Sequence, residues 1–336
     1  MSVLSELDLA LVNAVQVEPR APWPVIGSSL GISAATAARR WEALKAARTA
    51  WTGSTMGPLL QMGAVVELRC RTGTVEAVAA ALTSMPSVLT VGRTLGSFDL
   101  YALTVSPTPS ALSAVAAGPI SALDVLEARV HPYYRIFGGA RWTLGILNRS
   151  QVAEIVEPRE RVLTSSPASD LEKRLFLALG GDGRRSSADL AAELDVPAWT
   201  VRRQLALMRR RGLLEVRTDM ARGLGGWPFA GLLWLRVPDE DTEGTGRELG
   251  TWPEIRFAAP VVSASNLFVV VNIRSPGELQ TIASRMRARH RTLRIDDRRL
   301  VTRLIKVHGH LLDEEGRSLS MVTVDPWAGE SSPSTV

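Results

Sequence analysis

Cysteine is almost missing from this chain: Cys70 is the single one in 336 residues. No disulfide can form within the chain and no cysteine-based metal site can be built, which fits a reducing compartment. Histidine is scarce too. His131, His290, His308 and His310 lack the spacing of a metal cluster, and only His308 and His310 alternate at a strand end. No Gly-rich phosphate loop or H-E-x-x-H is found. No apolar run reaches the ~18 residues of a membrane span. The opening MSVLSELDLALVN has neither a basic n-region nor an apolar stretch of leader length. These absences lead to the expectation of a cytoplasmic protein with no membrane contact, no metal and no cofactor.

What is present is a repeat. Sliding the sequence by 164 positions sets Leu30 on Leu194 and matches roughly forty-five residues without a gap. Ser5 to Asp8 falls on Ser169 to Glu172, Leu11 on Leu175, Arg20 on Arg184, Ile26 on Leu190, Thr36 on Thr200, Arg39 on Arg203 and Leu44 on Met208. Apolar type is kept while the surface drifts. The unit is too long for a solenoid repeat, so a multi-element module has been duplicated.

Each copy opens with three short helices. In the first they span 5–17, 23–30 and 34–47, with Ser5 and Ser33 as N-caps and Gly31 ending the second. In the second they are Asp170–Leu179, Ser187–Leu194 and Pro197–Gly212, followed by a winglike strand at 213–216. A Gly-containing turn before the last helix makes a helix-turn-helix. In Pro197–Gly212, Val201, Leu205 and Met208 form an apolar stripe, and Arg202, Arg203 and Arg209 fall largely off it. A stripe backed by arginines suits a helix laid in a DNA major groove.

Downstream, Ala64–Arg71 alternates as a half-buried strand, with Val66, Leu68 and Cys70 inward and Glu67, Arg69 and Arg71 outward. Helix 74–85, strands 88–93 and 98–106, helix 109–117 and a strand within 123–137 complete a βαββαβ order. A shift of 167 repeats it at 230–237, 242–249, 255–260, 267–273, 276–290 and 300–307. The helix at 242–249 has Thr242, Thr245 and Gly246 where an apolar stripe belongs, and is expected to fray.

The expected fold is α+β: two winged, three-helix helix-turn-helix domains and two ferredoxin-like βαββαβ domains arranged as an internal pseudo-dimer. The boundaries read as helix-turn-helix 1 at 1–50, a hinge at 51–62 and ferredoxin-like domain 1 at 63–157. A linker follows at 158–168, then helix-turn-helix 2 at 169–217, a hinge at 218–228, ferredoxin-like domain 2 at 229–327 and a disordered tail at 328–336. Residues 138–157 and 308–327 read as counterparts, an added strand pair after each ferredoxin-like domain.

The net charge is +5 and favours a polyanion, here double-stranded DNA. Residues 169–218 hold ten Lys/Arg against seven Asp/Glu, and residues 1–50 hold five against four. Phosphate binding should be stronger in the second module.

Each half resembles the Lrp/AsnC (feast/famine) regulators. The serine-started helix at Ser33 with Arg39-Arg40, the pair Arg202-Arg203, and Gly96-Ser97-Phe98-Asp99-Leu100-Tyr101 in the central hairpin carry the resemblance. It implies sensing domains packed sheet against sheet, with a small effector such as an amino acid near the hairpins, and further self-association of pseudo-dimers. It also implies a nucleoid-associated location and an effector that acts through the two hinges on the spacing of the recognition helices. The second hairpin departs from the motif, with Ser263 for the glycine and Asn266 for the aspartate.

The candidate DNA contacts are Ser33, Ala35, Thr36, Arg39, Arg40 and Lys45 in the first copy, and Trp199, Thr200, Arg202, Arg203, Arg209 and Arg210 in the second. Arg202 and Arg203 suit base edges or phosphate; Trp199 suits the groove or packing against the preceding helix. Ala34, Ala35 and Ala38 offer no hydrogen-bonding groups, so the two copies are expected to read unlike half-sites. Candidate effector contacts are Gly96, Asp99, Leu100, Ser263 and Asn266, with Asp99 open between ligand anchor and turn residue. Cys70 reads as core.

Siroheme decarboxylases resemble this family in architecture and also occur as fused halves. They need histidine and other polar groups converging on a tetrapyrrole. The hinge 51–62 has no histidine and neither hairpin carries obvious catalytic groups, so no enzyme activity is expected. A third alternative gives the weakly charged first helix-turn-helix a protein partner.

Overall fold

The computed structural model describes residues 4–57, 60, 62–138, 142–157, 162 and 166–329. In chain order the elements are α1 (Glu6–Val17), α2 (Trp23–Ser29), α3 (Ala34–Ala46), β1 (Ala50–Thr55), β2 (Gly63–Cys70), α4 (Val75–Ser84), β3 (Val88–Leu95), β4 (Leu100–Thr104) and α5 (Pro109–Val115). A π turn at Ala116–Ile120 continues α5. Then come β5 (Val125–Tyr133), α6 (Arg149–Ile155), α7 (Asp170–Ala178), α8 (Ser187–Leu194), α9 (Ala198–Arg210), β6 (Glu215–Met220) and β7 (Phe229–Arg236). The last are α10 (Thr242–Leu249), β8 (Ile255–Pro260), β9 (Leu267–Ile273), α11 (Pro276–Arg289), β10 (Arg294–Val307), β11 (His310–Leu312) and β12 (Ser318–Met321). These elements fall into two compact units. One holds both helix-turn-helix copies, α6 and the turn 315–318; the other holds both βαββαβ copies.

In the helical unit the caps set the helix starts. The Asp8 N–H donates to Ser5 Oγ at 3.1 Å, and Ser169 with Glu172 makes a reciprocal capping box. Gly31 and Asp195 occupy the same place in the two copies, and both are left-handed (φ 66° and 53°). The turn between the second and third helix of each copy requires that conformation. Leu11, Val15, Ile26, Ala37, Trp41 and Leu44 form one core. Leu175, Leu179, Leu190, Val201, Leu205 and Met208 are their buried counterparts.

Two expectations change here. Residues 51–55 and 218–220 are strand, not hinge. β1 and β6 pair antiparallel, with Gly53 opposite Arg217. Among the described residues neither strand pairs with a third, so the ladder between them is the only sheet pairing either makes. Gly53 is needed because a Cβ there would sit 2.6 Å from the Gly180 carbonyl oxygen. The first connector is also not a strand pair. Residues 142–157 end in α6 and pack on the first helix-turn-helix. Asn13 Oδ1 accepts the N–H groups of Ile146 and Leu147 at 2.7 and 3.0 Å, and Ile155 enters the α1–α3 core. Leu144, Leu147 and Ile155 pack with the helical core instead of forming an extra hairpin. The expected linker lies outside the described residues at 158–161 and 163–165, as does the tail at 330–336.

In the sheet unit the strands run β5-β2-β4-β3-β10-β7-β9-β8, all antiparallel, with β11 and β12 added beside β10. The β3–β10 pairing joins the two copies into one sheet. The outer edges meet again through the bridges Tyr133↔Val261 and Gly138↔Ala258. Residues on β2 and β7 touch although three strands separate them in the sheet, so the two four-stranded faces oppose each other across a shared interior. This explains why β2, expected to be half-buried, is buried on both faces except at Arg69. The strand pair expected after the second copy is present as β11 and β12.

Helix α10 is formed, not frayed. A Cβ on Gly246 would lie 2.2 Å from the Phe137 ring, so the small residues make room for an aromatic from the first copy's arm. Gly246→Ala should therefore cost about 1–3 kcal/mol by overpacking. In a double-mutant cycle of denaturant midpoints, Phe137→Ala should remove most of that cost.

Candidate functional site

Helix α9 presents a free basic face. Val201, Leu205 and Met208 turn inward, while Trp199, Arg202, Arg203, Ala206, Leu207 and Arg210 are exposed. Trp199 is 58% exposed, so it does not pack against α8. Arg202, Arg203 and Arg210 make no ion pair among the described residues.

The other expected DNA contacts divide by geometry. Arg39 and Ala35 are exposed on α3. Ser33 caps α3, accepting the Thr36 N–H at 3.1 Å and sharing a hydrogen bond with Thr36 Oγ1. Thr200 lies in the first turn of α9, half-buried. Arg40 pairs with Asp8 at 2.8 Å and ties α3 to α1.

Lys45 and Arg209 are corrections. Lys45 meets Asp182 at 3.1 Å and Glu42 at 2.9 Å; Arg209 meets Glu18 at 2.8 Å. The 164-residue shift carries Lys45 onto Arg209 and Glu18 onto Asp182, so these are the same contact made twice about a pseudo-twofold axis. The arginines obey the same rule. Arg20 donates to the carbonyls of Gly183 and Arg185, and Arg184 to those of Pro19 and Ala21. Burial opposes the charge on Lys45, but Glu42 and Asp182 outweigh it and raise its pKa. Burial likewise opposes the Asp182 charge, but the Arg184 N–H, Lys45 and Thr52 hold that carboxyl below its usual range. Burial, with Arg20 alongside, brings Arg184 down to about 10. These cations join the two copies and are engaged there, unlike the free arginines of α9.

The hairpin residues expected to hold an effector are engaged within the fold. Asp99 Oδ2 accepts the Cys70 N–H at 2.7 Å, and Asn266 Oδ1 accepts the Val237 N–H at 3.0 Å. A shift of 167 maps one bond on the other, so both side chains staple a hairpin to the end of its neighbouring strand. Asn266 also donates to the Val237 carbonyl at 2.8 Å. Gly96 is left-handed at φ 129°, with the Arg299 side chain close by. Leu100 is fully buried core. Cys70 is buried, and burial beside Asp99 pushes its thiol up to about 11, which leaves it unreactive at neutral pH.

Between the two sheet faces lies a polar cluster that sequence reasoning missed. Glu67, read as outward-facing, is 2% exposed. Its carboxylate accepts from Trp234 Nε1 at 3.0 Å, sits 3.0 Å from His131 Nε2 and is ion-paired with Arg299. His131 Nδ1 lies 2.9 Å from Ser263 Oγ, and the His131 ring lies tilted at 56° against Trp234, with ring centroids 4.5 Å apart. Arg299 also pairs with Asp297 and lies over the Phe98 ring at 4.9 Å. The 167 shift sets Glu67 on Trp234, a change of type within an otherwise matching strand. That mismatch was the available signal.

Among the described residues no three His, Cys, Asp or Glu side chains gather to hold a metal, and no helix is long and apolar enough to cross a membrane.

Comparison with known proteins agrees with this geometry. Residues 4–45 match the AsnC-type helix-turn-helix domain, and residues 168–217 match a helix-turn-helix domain. An uncharacterised HTH-type transcriptional regulator of Pyrococcus furiosus is 25% identical over 112 residues, 33% of this chain and 76% of that protein. The crystal structure of the siroheme decarboxylase NirDL covers 95% of this chain and 96% of its own, with TM-score 0.58 and 15% identity. The same enzyme in complex with an iron-uroporphyrin III analogue covers 88% and 90%, with TM-score 0.55 and 15% identity. The chain is a tandem helix-turn-helix protein whose first helix-turn-helix domain is of the AsnC type, with an overall fold like that of NirDL. The domain matches and the Pyrococcus relative support a role in transcription regulation. The expectation that no enzyme activity is present is overturned, because the architecture matched along 95% of the chain is that of an enzyme.

Proposed function

We propose that the chain is a sequence-specific regulator that binds double-stranded DNA through α9, and that a small effector held by the sheet unit tunes that binding. The free basic face of α9, on a domain of helix-turn-helix type, carries this reading. The effector belongs to the class of amino acids or related metabolites, and the pseudo-dimers associate further in a nucleoid-bound cytoplasmic protein. Coupling requires the effector to bind the two packing states unequally. With β1 and β6 paired, the segments free to transmit it are shorter than the expected hinges.

Fluorescence anisotropy of the full chain on its own upstream DNA and on scrambled DNA, at two salt concentrations, tests the reading. Tighter binding to the native duplex, kept at higher salt, is the expected result; equal and steeply salt-dependent binding to both would leave phosphate attraction alone. Arg203→Ala should relax one base position by about 1–3 kcal/mol if it reads a base, and weaken all sequences alike if it holds phosphate.

A second reading has its own support. NirDL is a siroheme decarboxylase of similar architecture, and His131, Arg299 and Glu67 converge between the sheets. On that reading the sheet unit binds a carboxylated tetrapyrrole. A Soret-band shift on titrating iron-uroporphyrin, lost in His131→Ala, would favour it; an unchanged spectrum would count against it.

A further inference from the structure

From the helical unit we infer that this pseudo-dimer reads a single, asymmetric half-site through α9, and that α3 is not a DNA-reading helix. The inference rests on the DNA-binding reading above and narrows it to one kind of operator.

The pseudo-twofold axis is kept at the contact between the copies. Lys45–Asp182 repeats as Arg209–Glu18, and Arg20 repeats as Arg184. A dimer with two working recognition helices would keep the same symmetry on its outer faces, since operator palindromy mirrors protein symmetry. Here the outer faces differ. The exposed α9 residues Trp199, Arg202, Arg203, Ala206 and Arg210 stand where α3 has Ala35, Ala38, Arg39, Glu42 and Ala46. Three free arginines and no carboxylate face one free arginine beside an exposed glutamate.

The remaining α3 cations are committed inside the unit. Arg40 is held by Asp8, and Lys45 by Asp182 and Glu42. Moving either to phosphate would strand the carboxylate it now pairs with. Alanine side chains offer only methyl contact to thymine, and Arg39 alone of the α3 cations is without an ion pair among the described residues. The sequence predicted two unlike half-sites. The ion pairs leave too little on α3 for a second one.

The test is selection of the full chain on a random duplex library, with glutamate pairs placed at equivalent positions of α9 and α3. The selected duplexes are expected to share one motif in one orientation, with no inverted copy. Arg202→Glu/Arg210→Glu should lower affinity for the selected duplex by about tenfold or more. Ala38→Glu/Ala46→Glu, which sets the same charges on α3, should change it by less than about twofold. Circular dichroism of both variants checks that the helices remain. An inverted repeat with half-sites about 10 base pairs apart would overturn the inference while leaving the regulator reading intact. So would a large loss of affinity in Ala38→Glu/Ala46→Glu. If no duplex is enriched at any salt concentration, the regulator reading falls and the inference with it.

Discussion

Replacing Glu67 with alanine is expected to destabilise the sheet unit by about 3–5 kcal/mol, because Arg299 loses the more buried of its two carboxylate partners. Arg299 is only 5% exposed, and its remaining carboxylate, on Asp297, is also the more solvated of the two. The same substitution strips the Trp234 indole N–H of its acceptor and removes the group His131 faces. Glu67 joins residues from three other strands and both copies, so the loss is not confined to one hairpin. Thermal unfolding should fall by about 10 °C. The double variant Glu67→Leu/Arg299→Met should recover most of the loss, because apolar side chains of similar volume spare the cost of burying two charges. If Glu67→Ala melts within a degree or two of the parent, the cluster does not hold the two sheet faces together.

The second large effect depends on pH. Lys306, on β10, is fully buried, and its Nζ donates to the carbonyls of Thr83 and Met85 at 2.9 Å each. Burial with no carboxylate beside it brings its pKa from 10.5 down to about 8. A lysine whose pKa is lower folded than unfolded opposes folding while it is charged. That penalty is complete below pH 8 and is relieved as the pH climbs from 8 to 10.5. Stability should rise across that interval by about 3 kcal/mol from this group. Lys306→Met keeps the chain length and removes the charge. Its urea midpoint should exceed the parent's at pH 7, and the difference should vanish by pH 10.5. Parallel midpoint curves for the two proteins would show that the ammonium is already relieved at neutral pH.

The basic residues show most clearly where sequence reading stopped. Arg39, Arg40, Lys45, Arg202, Arg203, Arg209 and Arg210 all lie on the third helices, and by composition all suited DNA. The structure separates them by what lies opposite. Lys45 and Arg209 meet carboxylates 137 and 191 positions away in sequence, a relation no local pattern records. Asp99 and Asn266 looked like ligand anchors because their chemistry suits one, yet each is spent on a backbone N–H of a neighbouring strand.

Local rules were enough for the elements themselves. The i, i+4, i+7 stripe of Val201, Leu205 and Met208 marked the inward face of α9, and these three residues are buried. Ser5 and Ser33 marked helix starts, and each caps one. The failures fell where a distant segment supplied the missing partner. Phe137 fills the space that Gly246 leaves, so a stretch with weak local preference is still helix. β1 was read as hinge because its partner β6 lies in the other copy.

The sequence by itself determined the duplication, the helix-turn-helix and βαββαβ order of each copy, and the greater charge of the second module. All of these follow from periodicity, capping residues and composition within a few turns of chain. Only the tertiary structure decided which cations are free and which are tied. It also decided that Glu67 is buried at the centre of two opposed sheet faces and that the segment before α6 belongs with the helices. The physical reason is the same in each case: burial and charge pairing depend on which surface comes to lie opposite, and the chain brings those surfaces together from more than a hundred residues away.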